Sequence, residues 1–178
     1  VHGAGVLADA RLADKTPEQF DRVFGTKGDG LRHLLAATSR DPLRLIVLFS
    51  SSTGRFGRTG QADYAAANEV LNKLAWRESR GRPDCRVVSL SWGPWDGGMV
   101  TPALRDVFAA EGVGLIGREA GAAFLVDELR GVGPVEVVVL AAGAAPAPSS
   151  GDWTVAFERV LDVTSHPALD RKSTRLNS

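Results

Sequence analysis

Apolar and polar positions along the chain fall into two alternating periods. Thr16-Pro17-Glu18-Gln19 opens the first: threonine can cap a helix, proline is tolerated at its first position, and Gln19 completes a capping box. Phe20, Val23, Phe24, Leu31, Leu34 and Leu35 then recur at helical spacing, which predicts a helix through Ala37. Asp41-Pro42 ends it. Residues 43–50 form a short apolar run between polar positions, the pattern of a buried parallel strand. Residues 53–60 hold Gly54, Gly57 and Gly60 with Arg55 and Arg58, and predict a loop. An Ala/Leu-rich helix is predicted over 62–80, stopped by Gly81 and Pro83. A strand follows over 86–91, then a turn-rich loop over 92–98, short helices near 102–111 and 118–130, and an apolar strand over 135–140.

Strands alternating with helices imply right-handed crossovers and a parallel sheet covered on both faces. The expected fold class is therefore α/β, the C-terminal part of a doubly wound, Rossmann-like parallel sheet. The first residues, Val1-His2-Gly3-Ala4-Gly5, read as a strand end passing into a Gly-rich loop, so the first strands of the sheet are expected upstream. Ligands of such sheets bind outside the carboxyl ends of the strands. Ser51, Gly3 to Gly5 and the 92–98 loop all fall there. Residues 141–151 are low in complexity and read as a linker. Residues 153–163 alternate like a strand and belong, on this reading, to a fragment of a second domain over 152–171. The tail over 172–178 reads as non-native.

Composition narrows the function classes. Basic and acidic residues balance at 21 each, and no sustained basic block marks a nucleic-acid surface. No apolar stretch reaches the roughly 18 residues of a membrane span, and the N-terminus is no signal peptide. Cys85 is the single cysteine, so an internal disulfide and a cysteine-based zinc site are excluded; no metal is expected, and a reducing cytoplasm is the simplest compartment.

Candidate chemistry lies in four residues. Tyr64, the one tyrosine, and Asn68 share a helix face. Ser51 closes the preceding strand, and Lys27 lies on an earlier helix. Free tyrosine has a pKa near ~10, and a nearby ammonium lowers it. If the two helices pack together, Lys27 tunes Tyr64 as a general acid for a carbonyl oxygen. Ser51 then hydrogen-bonds that oxygen, and Asn68 orients Lys27 directly or through a water. The hydride must come from a nicotinamide cofactor, because no side chain donates one. Each residue also has a plainer reading: a packed tyrosine, a polar strand end. His2 and His33 read as structural, Cys85 as inert, and Trp92 and Trp95 as either core aromatics or site lining.

These residues carry a resemblance. His2-Gly3-Ala4-Gly5-Val6-Leu7, Phe24-Gly25-Thr26-Lys27-Gly28-Asp29-Gly30, Leu48-Phe49-Ser50-Ser51, Gly60 to Asn68 and Ser91-Trp92-Gly93-Pro94-Trp95 resemble the ketoreductase domain of type I polyketide and polyunsaturated fatty acid synthases, within the short-chain dehydrogenase/reductase superfamily. The separations of Lys27, Ser51 and Tyr64 match as well. The resemblance covers residues 1–140. It implies a domain of a multifunctional, cytoplasmic synthase that reduces a β-ketoacyl thioester with NADPH, the substrate held on the phosphopantetheine arm of an acyl carrier protein. It implies catalytic roles for Tyr64, Ser51, Lys27 and Asn68. Gly3, Ala4, Gly5, Ser50, Tyr64, Lys27, Gly93 and Pro94 would bind the cofactor, and Asp9, Trp95 and Met99 the substrate. The segment 95–115 resembles the family's mobile cover. Leu7-Ala8-Asp9 keeps only the last residue of the B-type Leu-Asp-Asp, and Phe56 stands where the A-type has tryptophan, so a B-type stereochemical outcome is favoured. Residues 157–169 resemble the opening of a dehydratase domain, with Lys172 where its catalytic histidine would fall. The family's cofactor-binding Gly-rich loop is not found among these residues. The alternative function is a catalytically incompetent fragment or structural module of such a synthase.

Overall fold

The computed structural model describes residues 1–141 and 160–162. The expected linker, the second-domain fragment and the non-native tail fall, apart from Ala141 and 160–162, outside the described residues. Two compact units divide the chain, Val1–Ser91 and Trp92–Ser178.

The first unit is built from helix α1 (Pro17–Ala37), strand β1 (Leu45–Ser51), the short helix α2 (Ser52–Phe56), helix α3 (Ala62–Gly81) and strand β2, which runs Arg86–Trp92 into the next unit. α1 starts where its sequence predicts: Thr16 accepts from the Gln19 amide and Gln19 answers the Thr16 amide, a complete capping box. Its buried stripe is Val23, Lys27, Gly28, Leu31 and Leu35. A lysine thus holds a core position of an amphipathic helix. The Arg86 amide donates to the Arg44 carbonyl at 3.0 Å, so β1 and β2 start at one edge and run parallel. His2 extends the sheet by a parallel bridge to Leu48, its amide donating to Val47 O at 2.8 Å and its carbonyl accepting from Phe49 N at 2.9 Å. The predicted strand end entering a Gly-rich loop is therefore present. The imidazole of His2 is buried against the Lys27 carbonyl at 3.0 Å, a structural role.

α1 and α2 both pack on α3, and α3 packs on β1. Ile46, Val47, Leu48, Leu71, Ala75, Val87, Val88 and Leu90 form the core between them. α2 departs from the predicted loop. The Ser51 hydroxyl accepts from the Thr53 amide at 3.1 Å and caps a single turn, which overrides the Gly-rich composition. β1 also starts at Leu45 rather than Leu43.

The second unit contains helices α4 (Pro102–Ala110) and α5 (Arg118–Arg130) and strands β3 (Glu136–Leu140) and β4 (Val160–Asp162). β3 is buried along its whole length and pairs in parallel with β4, Val138 opposite Val160. The described part of the strand predicted over 153–163 is thus a strand. Trp92 is core, edge-on to Phe124 with centroids 5.7 Å apart, and Trp95 leans on Trp92 at 4.8 Å. Among the described residues no helix is long and apolar enough to cross a membrane.

Candidate active site

The packing of α1 against α3 brings Lys27 to Tyr64, as the helix-pairing condition required. Lys27 Nζ lies 5.5 Å from the centroid of the Tyr64 ring. The lysine is 3% exposed, and its ammonium donates to the Phe49 carbonyl at 3.1 Å. Burial alone lowers its pKa from 10.5 to about 8.

Tyr64 differs from its expectation. Its pKa is raised, not lowered: burial of the ring is the largest influence, the polar side chains of Asn68 and Ser51 pull it back, and the Asp9 carboxylate pushes it further up. The desolvation cost of a phenolate outweighs the two polar side chains that favour it. A raised pKa keeps the phenol protonated through neutrality, the form a general acid needs. The Asp9 influence is open to test. Asp9→Asn removes a nearby negative charge, so the Tyr64 pKa falls and the alkaline limb of the pH–kcat profile moves to lower pH; an unmoved limb refutes the link.

Asn68 is fully buried. Its amide nitrogen donates to the Tyr64 carbonyl at 2.8 Å, one turn back; only its Oδ1 could accept from the Lys27 ammonium. Its Oδ1 is buried without a hydrogen-bond partner among the described residues. Such an acceptor is costly unless something supplies a donor. Ser50 is buried, and its hydroxyl donates to the Asn68 carbonyl at 3.1 Å, tying β1 to α3. Ser51 is half-buried at the strand end, where its oxygen caps α2.

Glycine at residue 54 lets α2 lie close on α3. A Cβ there would sit 3.0 Å from Asn68 Cβ and 3.1 Å from the Glu69 amide. Gly54→Ala is expected to cost about 1–3 kcal/mol by overpacking, read as a lower urea midpoint with unchanged slope. An unchanged midpoint would show that α2 is free to shift.

Gly3 and Ala4 are exposed, and Gly5 passes over the lysine: a Cβ on Gly5 would lie 3.3 Å from Lys27 Cε. Asp9 is exposed and accepts from Gln61 Nε2 at 2.9 Å. The other predicted site residues lie in the second unit. Gly93 N donates to Val139 O at 2.7 Å, and the Pro94 carbonyl accepts from Ile116 N at 2.8 Å. Trp95 covers Gly121, and Met99 is exposed. Within 95–115, Asp96 is held by Arg105 through an ion pair and by Arg118 Nε, which donates to its carbonyl at 3.0 Å.

Sequence reasoning missed a buried ion pair beside Tyr64. Lys15 Nζ meets Asp63 Oδ2 at 2.8 Å, the two side chains 3% and 1% exposed. The helix pattern marks Asp63 as a charge on the inward face of α3, but nothing in it names Lys15, 48 residues earlier, as the partner.

Comparison with known proteins gives the family. The KR domain family model matches residues 1–97. One component of the polyunsaturated fatty acid synthase of a Thraustochytrium species is 42% identical over 170 residues, 96% of this chain and 6% of that protein. Polyketide synthase GfsA of Streptomyces halstedii is 48% identical over 111 residues, 61% of this chain and 1% of that protein. Among solved structures, the ketoreductase from the first module of phoslactomycin biosynthesis in Streptomyces sp. HK803 superposes with a TM-score of 0.68 at 32% identity, covering 76% of this chain and 31% of that one. The chain thus spans a small part of the synthases it matches. It belongs to the KR domain family, the ketoreductase-type α/β domains of polyketide and polyunsaturated fatty acid synthases.

Proposed function

We propose that residues 1–140 supply the proton-donating and carbonyl-binding groups for NADPH-dependent reduction of a carrier-protein-bound β-ketoacyl thioester to the β-hydroxyacyl thioester. The observation that carries this reading is the approach of Lys27 Nζ to within 5.5 Å of the Tyr64 ring, with Ser51 and Asn68 acting on the same phenol. Tyr64 gives its proton to the ketone oxygen. Ser51 donates a hydrogen bond to that oxygen and stabilises the alkoxide forming on it. The Lys27 ammonium, charged below about pH 8, favours the phenolate left behind.

The residues present fit a nicotinamide cofactor. Among the described residues the Lys27 ammonium, with three protons, has one hydrogen bond, and Asn68 Oδ1 is an acceptor without a donor. A cation with donors to spare, a free acceptor and a side-chain-free approach at Gly5 suit a hydroxyl-rich ribose. Lys27 and Tyr64 would hold it, with Gly3, Ala4, Gly5 and Ser50 along its path; when bound, the cofactor supplies the hydride. Asp9, Trp95 and Met99 are the proposed contacts of the acyl chain. The partners are the acyl carrier protein and the other domains of the same synthase, including a dehydratase beginning within 152–171 after a linker over 141–151.

The test uses the full-length protein, NADPH and a β-ketoacyl thioester of N-acetylcysteamine. Consumption of NADPH matched by the β-hydroxyacyl product is expected, with a lower KM when the same acyl group is loaded on a carrier protein. No NADPH-dependent product from either substrate overturns the proposal.

A further inference from the structure

The Lys15–Asp63 pair has no part in the chemistry above, yet it holds the backbone of the residue that performs it. Asp63 Oδ1 accepts from the Tyr64 amide at 2.9 Å. Asp63 Oδ2 meets Lys15 Nζ, and the same ammonium donates to the Ala8 carbonyl at 2.8 Å. Gln61, at the N-cap of α3, makes no side-chain capping bond and instead binds Asp9. The first turn of α3 is therefore tied twice to the segment carrying Ala8 and Asp9.

Stability is a poor explanation for this arrangement. Burying two charges costs several kcal/mol per ion, and well-packed apolar residues of similar volume often fold as stably or better. The Tyr64 amide is one of the orphan donors of a helix N-terminus, and the usual capping residue leaves it unserved. We propose that Lys15 and Asp63 are positioning residues: the buried pair fixes the first turn of α3 against the 8–9 segment and so sets the reach of the Tyr64 phenol. The inference rests on the reading of Tyr64 as proton donor. Its cost is expressed in kcat, because a small displacement of a proton donor penalises the transition state far more than ground-state binding.

The experiment compares full-length wild type, Tyr64→Phe, Lys15→Met and the double variant Lys15→Met with Asp63→Leu, using NADPH and the N-acetylcysteamine thioester. For the double variant the melting temperature is expected to be unchanged or higher, because the apolar pair replaces the ionic one. Its kcat is expected to fall about tenfold, with the KM values of NADPH and thioester within about twofold. Lys15→Met alone, which leaves Asp63 buried and unpaired, should lose both kcat and stability. A double variant with parental kcat, or one that fails to fold, overturns the proposal in favour of a purely structural pair. Retained reduction by Tyr64→Phe instead overturns the proton-donor reading on which the inference rests, so the two failures are distinct.

Discussion

Replacing Tyr64 by phenylalanine is expected to lower kcat for ketone reduction by at least about 100-fold, the usual worth of a positioned general acid. The change removes one oxygen and leaves the ring, so packing on α3 is conserved. NADPH affinity, read by fluorescence titration, should stay within about tenfold, because the phenol oxygen contributes at most one hydrogen bond to the bound state. The reason for so large a kinetic loss lies in electrostatics. As hydride reaches the carbonyl carbon, negative charge collects on the oxygen, and a positioned proton donor neutralises it as it forms. On the proposed reading Tyr64 is the proton source, kept protonated through neutrality by its raised pKa. Ser51 can donate a hydrogen bond, but its hydroxyl does not give up a proton at neutral pH. A variant that keeps parental kcat would move the proton donor elsewhere and undo the assignment of Ser51 and Asn68 with it.

How far the sequence reaches depends on whether a feature is local. The capping box at Thr16, the stripe from Val23 to Leu35 and the Gly81 stop are written in neighbouring residues, and α1 and α3 begin and end within a residue or so of expectation. The proposed site residues stand out for a different reason. Lys27 breaks an apolar stripe, and Tyr64 and Asn68 share a face, so each is conspicuous against its own helix. Features made by side chains from distant segments are not legible. The Lys15–Asp63 pair joins a loop to a helix 48 residues later, which no periodicity encodes. The turn of helix after Ser51 is hidden because Gly54 and Gly57 look like loop residues. Gly54 is there so that α2 can touch α3, and a packing requirement has the same letter as a flexible one. The direction of the Tyr64 shift escapes the sequence because a charge is visible there while burial is not. The Lys27 ammonium can be read from its letter; the desolvation of the ring beside it cannot.

Lys27 makes that competition measurable. Its folded pKa of about 8 lies well below the 10.5 of a free lysine side chain. Between those values the unfolded chain binds a proton that the folded chain has released, so the Lys27 contribution makes stability rise with pH across that window. Below about pH 8 both states are protonated and the full penalty of a buried ammonium is present, of the order of 3 kcal/mol. Lys27→Met keeps the length and apolar body of the side chain and removes the charge. It also removes the hydrogen bond to the Phe49 carbonyl and the contact with the Tyr64 ring, which together offset about 1–2 kcal/mol. The net expectation at pH 7 is a protein about 1–2 kcal/mol more stable than wild type in urea and at least about 100-fold slower in ketone reduction. The stability gain should shrink as pH rises from about 8 towards 10.5, because the wild-type lysine then sheds the proton that strains it. A variant that is less stable at pH 7, with a gap that does not vary over this window, would mean that the ammonium is better solvated than its burial implies. A more stable and inactive one locates the cost of this site in a single charge, retained in the core of α1 for what it does to Tyr64.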